Sequence, residues 1–333
     1  MSLRLRGSSP SCSTTLATAL TVLGITFGAS TAQAQVLSQT SGAEPKGESP
    51  LEKIDKKLEA VDKKLETIVG NTPENKLPPK LLPLWEFGMG VGGFNMPDYR
   101  GSNHQSSYLF PFPYVIYRGD FLKADRSGVS GRFLDSEHLD LELSMSGGAP
   151  VRSKNNEARA GMPDLKPTLE LGPQAIIRVA GKARDVTRLD VRLPFRQAIT
   201  VSTDPRAVGW VFTPALNLSI TPRDGWQFGA QTGPYFASAK YHRYMYEVAP
   251  QYATATRPVY TPKGGYGGWQ FTTSLSRRFD TMFVGAFIRA STVRGAVFED
   301  SPLVKRKLNV QGGFGISWVF SKSSTMVPAT DDE

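Results

Sequence analysis

Cysteine is nearly absent from this chain: the one cysteine among 333 residues is Cys12. Cys12 lies in a segment that we expect to be removed on export. The remaining chain is therefore predicted to hold no disulfide, no thiolate metal site and no cysteine nucleophile. Long apolar runs are missing too, because the most apolar stretch, residues 16–27, is too short to cross a bilayer as a helix.

Motifs of metal binding and catalysis are also missing. No HExxH, paired-histidine or acidic calcium-loop spacing occurs, so the sequence predicts no metal site. The glycines have no GxGxxG or P-loop context, and residues 128–131 lack the GxSxG spacing and are predicted to form a small-residue turn. The remaining catalytic candidates, His138 and Asp140, are explained more simply as polar interior residues of a strand. We therefore predict a protein that is not an enzyme and has no cofactor.

The N-terminus is typical of an export signal, which we place at residues 1–34. Arg4 and Arg6 precede the apolar stretch, and Ala32-Gln33-Ala34 is a small-residue cleavage site. Because the signal carries two basic residues and no acidic one, its removal leaves 37 basic and 30 acidic residues, a net charge of +7. In an exported protein this excess favours anionic lipid headgroups or wall polymer over nucleic acid.

Apolar and polar residues alternate in segments of about ten along residues 85–320. Repeated in an exported chain, the pattern predicts an all-β fold, a transmembrane antiparallel β-barrel with lipid outside and polar side chains inside. The last segment is the clearest example. Its apolar face holds Leu308, Val310, Phe314, Ile316, Trp318 and Phe320, and its polar face holds Asn309, Gln311 and Ser317.

Loop lengths indicate the strand number and the orientation. Outer-membrane barrels have an even number of strands, short periplasmic turns and longer outer loops. If residues 121–134 are two short strands that turn near Ser127-Gly128, about twelve strands result and every long loop lies outside. If residues 121–147 are one kinked strand, the number is ten; we prefer twelve. The short turns are expected at residues 118–120, 181–185, 223–225 and 280–281, and the long loops at 95–105, 148–166, 243–265 and 297–306.

One segment carries three arginines, Arg188, Arg192 and Arg196, between apolar residues. We expect them to face the interior, because a charge at the lipid midplane costs about 2–4 kcal/mol. One interpretation is a basic ladder that favours anionic solutes. The interpretation we prefer is that they pair with inward carboxylates and fill a narrow barrel. The candidate carboxylates are Glu142, Glu170 and Asp190.

Before the barrel, residues 51–70 are the one convincing helix, preceded by a flexible linker at 35–50 and followed by a proline-rich linker at 71–84. The apolar residues of this periplasmic helix follow a heptad spacing, which suits either a homo-oligomer or packing on a partner or on the barrel. They are Leu51, Ile54, Leu58, Val61, Leu65 and Ile68.

The end of the barrel carries a candidate assembly signal. Gly315, Trp318 and Phe320 fit a glycine followed by alternating aromatics, which resembles the terminal signal read by the barrel-insertion machinery. In most such proteins the chain ends on the aromatic residue, whereas here a polar C-terminal tail, residues 321–333, follows it.

Four short motifs resemble the MipA/OmpV family of outer-membrane proteins, over roughly residues 85–320. The motifs lie at residues 88–92, 97–102, 111–115 and 300–304, although an acidic residue is more usual at Arg100. The resemblance implies an outer-membrane barrel of a Gram-negative bacterium that joins a murein lytic transglycosylase to a murein synthase. The resemblance brings no catalytic residues. The motifs Asp98-Tyr99 and Ser301-Pro302 would both lie in outer loops of the predicted barrel and lock those loops over its mouth.

These observations predict a scaffold for murein-remodelling enzymes, in contact with outer-membrane lipid or lipopolysaccharide. The alternative is a narrow channel for small, anionic solutes, and a barrel enzyme that modifies lipids is a weaker third hypothesis.

Overall fold

Strands account for most of the computed structural model, which describes residues 56, 60, 81–119, 122–125, 128–135, 139–181, 185–222 and 224–328, with the backbone alone at 122–125 and 128–135. The predicted export signal, the linker at 35–50, the apolar heptad residues and His138 lie outside the described residues. Lys56 and Ala60, within the predicted heptad helix, are helical. Among the described residues, no helix is both long and apolar enough to cross a membrane.

Most strands follow the predicted alternating segments. In chain order they are β1 (Leu81–Pro83), β2 (Trp85–Pro97), β3 (Gln105–Arg118), β4 (Leu122–Asp125), β5 (Gly128–Asp135), β6 (Leu139–Gly148), β7 (Thr168–Ala180), β8 (Thr187–Thr200), β9 (Ala207–Phe212), β10 (Ala215–Ile220), β11 (Trp226–Ala237), β12 (Gly265–Phe279), β13 (Met282–Thr292), β14 (Leu308–Lys322) and β15 (Met326–Pro328).

All pairings are antiparallel and nearly all join neighbours in sequence. From β2 to β9 each strand pairs with the next, and the same holds from β10 to β14. β8 pairs with β9 along one half and with β10 along the other, and both of these strands pair with β11. The last long strand, β14, pairs with the first, β2. Beside this 13-stranded sheet, β1 and β15 form a two-stranded sheet.

The alternation separates two faces, as predicted. On β14, the apolar Phe314 is 54% exposed, whereas Asn309 and Ser317 are 3% and 1% exposed. On β13, Ile288 is 58% exposed. Large apolar side chains exposed on strand after strand are not the surface of a water-soluble protein, where such contiguous patches are rare. The face that carries them suits lipid, and the opposite face holds the polar side chains.

The four long connections follow β2, β6, β11 and β13, as expected, and the connections between the other strands are shorter. The turns after β7 and β10 need the left-handed backbone of Gly181 (φ +80°) and Gly225 (φ +83°), a conformation that glycine adopts without strain. Two expectations were wrong. Residues 128–131 are not a turn but the first half of β5, and the connection after β11 contains a helix, α1 (Ala239–Tyr246). The segments expected to be a linker and a tail also supply β1 and β15.

The largest cluster of buried apolar residues lies in the connections, not on the strands. We name the connections 98–104, 149–167, 238–264 and 293–307 the loop lid. All of them contribute to this cluster, which includes Tyr99, Leu165, Tyr246 and Phe298. The lid also contains α1 and three single-turn 3₁₀ helices, Ser153–Asn155, Glu157–Arg159 and Pro250–Tyr252. The four connections therefore pack together as one folded unit at one end of the sheet.

Candidate functional site

The polar face of β8 brings together the three arginines that the sequence singled out, but not in one network. Arg188 Nε lies 3.2 Å from a carboxylate oxygen of Asp190 on the same strand. Arg196 Nε lies 3.3 Å from Glu170 on β7. Arg192, between them, makes no ion pair with any described residue, and its buried Nε has no hydrogen-bond partner there. Two of the three arginines are thus paired, and Arg192 has no counter-charge among the described residues.

Arg196 holds a polar layer near the loop lid. Its guanidinium also donates to Ser144 and Thr213, and the Tyr241 hydroxyl on α1 donates to the second oxygen of Glu170 at 3.1 Å. A buried charged pair is stabilising only when its remaining hydrogen-bonding positions are filled. In this layer each nitrogen of the Arg196 guanidinium and each oxygen of Glu170 has a partner, and the Tyr241 contact ties helix α1 to the inner face of the sheet.

At the opposite end of the sheet a second charged layer surrounds Glu86, which is fully buried. Its two oxygens lie 3.1 Å from Arg118 and 2.7 Å from Arg278. Arg118 also donates to the Pro83 carbonyl at 2.6 Å, and so fixes β1 to the sheet. This triad could not be predicted from local patterns, because its members lie on β2, β3 and β12. Its one sequence signal is that each stands on the polar side of the alternation.

Between the two charged layers lies a cavity of about 760 Å³ on the inner face. One wall is aromatic and glycine-rich, and the other carries polar side chains with two of the predicted arginines, Arg188 and Arg192. The aromatic wall includes Phe112, Tyr114, Phe283 and Phe287, and the polar wall includes Asn217, Ser219, Gln227, Ser274 and Ser276.

The glycines of β2 explain how the aromatic wall forms. A Cβ at Gly90 would lie 2.5 Å from the ring of Phe112, and one at Gly92 would lie 3.2 Å from it. Across the seam between β2 and β14, Gly315 faces the same ring at 3.7 Å. Because these positions lack side chains, the Phe112 ring can lie against the sheet and leave the cavity open in front of it.

In the loop lid, a buried carboxylate holds two connections together. Asp98 accepts hydrogen bonds from Ser106 at 2.7 Å and from Asn156 at 2.8 Å, and contacts His104 Nδ1 at 3.0 Å. The Tyr99 hydroxyl donates to the Leu303 carbonyl, and burial raises the pKa of Tyr99 to about 12. The expectation that the Asp98-Tyr99 motif locks the loops is thereby confirmed.

The second loop motif makes an equivalent contact. Ser301 Oγ donates to the Tyr246 carbonyl at the end of α1, and the Tyr246 hydroxyl donates to the Arg100 carbonyl. The ring of Tyr246 stacks on Phe298 at 3.8 Å. All four connections of the lid are therefore joined by polar contacts as well as by their apolar cluster.

The remaining candidates have structural surroundings. Asp140, the described member of the His138–Asp140 pair, lies 3.4 Å from Arg178. Gly315, Trp318 and Phe320 lie on β14, where Trp318 and Phe320 are 43% and 67% exposed on the apolar face. No group of three or more His, Cys, Asp or Glu residues in the described part of the chain could hold a metal ion.

The tryptophans form two bands on the apolar face. Such bands of amphipathic aromatic rings mark the two interfaces of a membrane. The apolar outer face and the charged layers on the polar face are those of the class of outer-membrane barrel proteins. Trp85, Trp226 and Trp318 lie toward the short-turn end, and Trp210 and Trp269 lie toward the loop lid.

Within that class, the chain belongs to the MipA family. The model of this family, described as MltA-interacting protein MipA, matches residues 89–320. The match covers the strands from β2 to β14 and the loop lid. A comparison with curated proteins found no match.

Solved structures that resemble the chain are outer-membrane proteins of low sequence identity. A bacterial polysaccharide outer membrane secretin is 8% identical, with 71% of this chain and 99% of that chain covered and a TM-score of 0.36. An outer membrane channel from Pseudomonas putida F1 is 10% identical, with coverages of 75% and 99% and a TM-score of 0.40. A FadL homologue from Pseudomonas aeruginosa is 11% identical, with coverages of 74% and 65% and a TM-score of 0.27. TM-scores of this size support no argument about the activity of this chain.

Proposed function

We propose that this protein is an outer-membrane barrel that docks a murein-remodelling enzyme on its periplasmic side. In this proposal residues 1–34 are removed on export, the loop lid lies outside the cell, and the short-turn end faces the periplasm. The heptad helix at 51–70, the linkers around it and the C-terminal tail lie on the periplasmic side and offer the binding surface.

The ring of pairings supports a closed barrel. β14 returns to β2, and β8 and β11 both pair with β9 and β10. If β9 and β10 count as one strand interrupted at Thr213–Pro214, the ring has twelve members. With an even number of strands, the chain enters the first strand and leaves the last strand on the same side of the membrane, as expected of this class. A closed ring also leaves no unpaired strand edge in the lipid.

The observation that carries the docking proposal is the contrast between the two ends of the sheet. The loop lid buries several of its polar groups, among them Asn156, Arg159 and Ser301, in contacts within the lid. At the short-turn end, β1 and β15 form only a three-residue ladder, and Leu81 and Met326 are 62% and 49% exposed. The family is described by its interaction with MltA, which favours a murein enzyme as the partner. A partner that acts on murein must approach from the periplasm.

The direct test is binding of a purified MltA-type lytic transglycosylase to the full chain in nanodiscs. Deletion of residues 51–70, and the double substitution Leu58→Lys with Leu65→Lys, should lower the affinity at least tenfold. The matched control is Glu59→Lys with Lys63→Glu, which changes the polar face of the same helix and leaves its net charge unchanged. Equal affinity of the control and the Leu58/Leu65 variant would refute the role of the helix.

A narrow channel for small anions is the second candidate, favoured by Arg192, which lines the cavity and makes no ion pair within the described part of the chain. The packed loop lid argues against it. Planar-bilayer recording decides between them: conductance whose anion preference falls in Arg192→Glu but not in Arg206→Glu supports a channel. A silent barrel rules the channel out.

A further inference from the structure

We propose that the cavity is a binding chamber for a small amphipathic anion, whose acid group pairs with Arg192 and whose apolar part lies on Phe112 and its aromatic neighbours. This inference goes beyond the docking function, since it assigns a ligand to the barrel interior.

The charge of Arg192 is the first reason. A charged group taken out of bulk water is costly unless a counter-charge or a set of hydrogen bonds compensates it. Arg188 and Arg196 on the same strand have such partners within 3.3 Å, whereas Arg192 has none among the described residues. Arg192 lines the cavity. A planar guanidinium presents paired donors that match a carboxylate, so an acid group is the ligand that best completes this site.

The composition of the cavity is the second reason. The charged residues that line the cavity, Arg188 and Arg192, are both arginines, so the cavity favours anions over cations. Opposite Arg192, the rings of Tyr114 and Phe283 lie 6.4 Å apart, and Phe112 rests on its glycines. A cavity with one charged wall and one aromatic wall selects a ligand that has both parts.

The third reason is enclosure. Toward the short-turn end, Arg278 stands two residues beyond Ser276, which lines the cavity, and forms a paired layer with Glu86. Toward the loop lid, Arg196 and Glu170 form a second paired layer, and Arg196 stands four residues beyond Arg192 on β8. The volume of about 760 Å³ falls within the range of pockets that hold small organic molecules, roughly 300–1,000 Å³. The cavity is therefore large enough for a bicyclic aromatic acid.

The test is isothermal titration of the full chain in nanodiscs with 2-naphthoate, and with 2-naphthamide as the uncharged analogue of the same shape. Empty nanodiscs give the background. We expect saturable binding of 2-naphthoate and at least tenfold weaker binding of the amide, since a hydrogen-bonded charge pair contributes about that factor. Arg192→Gln should weaken 2-naphthoate at least tenfold and leave the amide unchanged.

Two further variants distinguish binding in this cavity from a general effect of substitution on the protein. Arg206→Gln removes an arginine that is 77% exposed and pairs with Asp204 in the β8–β9 connection, and should leave binding unchanged. Ser274→Phe places a ring in the cavity and should abolish binding of both compounds. The proposal is overturned if 2-naphthoate binds no better than to empty nanodiscs, if the acid and the amide bind equally, or if Arg192→Gln and Arg206→Gln behave alike.

Discussion

The two ends of this barrel each bury a carboxylate, but they use it differently. Glu86, at the short-turn end, is held by two arginines and closes a charge layer inside the strands. Asp98, in the loop lid, is held by Ser106 at the start of β3, by His104 and by Asn156, and the Asn156 contact ties two loops to one another. The first arrangement fixes the barrel wall, whereas the second fixes a cover. The loop end is thereby covered by loops that contact one another, and the short-turn end carries the exposed side chains of Leu81 on β1 and Met326 on β15.

The largest effect is expected from Glu86→Ala. Loss of this carboxylate leaves Arg118 and Arg278 without their shared partner, and breaking a buried ion pair from one side costs about 3–5 kcal/mol. The free energy of unfolding should fall by that amount. It is measured from the folded fraction on gels at increasing urea concentration. Asp204→Ala breaks an exposed pair and should change it by less than about 1 kcal/mol. Equal effects would show that the Glu86 layer does not stabilise the wall.

Asp98→Ala should act on the lid alone. It leaves the buried Asn156 amide without one of its acceptors and should destabilise the lid by about 2–3 kcal/mol. Hydrogen exchange at residues 149–160 should become faster, while exchange on β13 stays unchanged. Faster exchange on β13 as well would contradict the separation of the two regions.

A smaller effect is expected at the start of α1. Ser238 Oγ accepts the backbone N–H groups of Tyr241 and Trp210, so it caps the helix and joins it to β9. Ser238→Ala should cost about 1 kcal/mol, seen as faster exchange at residues 239–246. Ser202→Ala, whose hydroxyl contacts only its own turn, is the matched control and should not alter α1. Unchanged exchange in Ser238→Ala would show that the cap is not needed.

The smallest effect is a pH dependence of the lid. Burial, with a smaller contribution from Arg100, lowers the pKa of His242 below its ordinary value of 6.5, although the hydrogen bond to the Lys263 carbonyl acts the other way. The folded lid then binds fewer protons than the unfolded one. Its stability should be constant above pH 6.5 and fall as the pH drops below it. Hydrogen exchange of the α1 amides, corrected for the intrinsic exchange rate at each pH, should show this decline in the natural chain and not in His242→Phe. The same decline in both would exclude His242 as its cause.

The alternation and the turn lengths predicted most of the barrel, because both depend on neighbouring residues. Strand faces such as that of β14, the long connections, and the division of residues 121–134 into the two strands β4 and β5 could all be inferred this way. Helix α1 was missed because its eight residues are too few for a clear helical period, and its cap contacts a distant strand.

The interior could be predicted only in part. Alternation showed that Arg188, Arg192 and Arg196 face inward, but which of them finds a carboxylate depends on the register between β7 and β8. The Glu86 triad joins β2, β3 and β12, and β1 and β15 pair across more than two hundred residues. No local pattern in the sequence marks such contacts.

The central claim is a barrel with its loop lid outside the cell and its docking end in the periplasm. Labelling of single introduced cysteines tests this claim most directly. Cys12 lies in the predicted signal, so a cysteine introduced elsewhere is the only thiol expected in the exported chain. Val259→Cys and Met326→Cys replace side chains that are 54% and 49% exposed in the lid and on β15. A membrane-impermeant maleimide should label residue 259 in intact cells and residue 326 only after the outer membrane is opened. The reverse order would contradict the account.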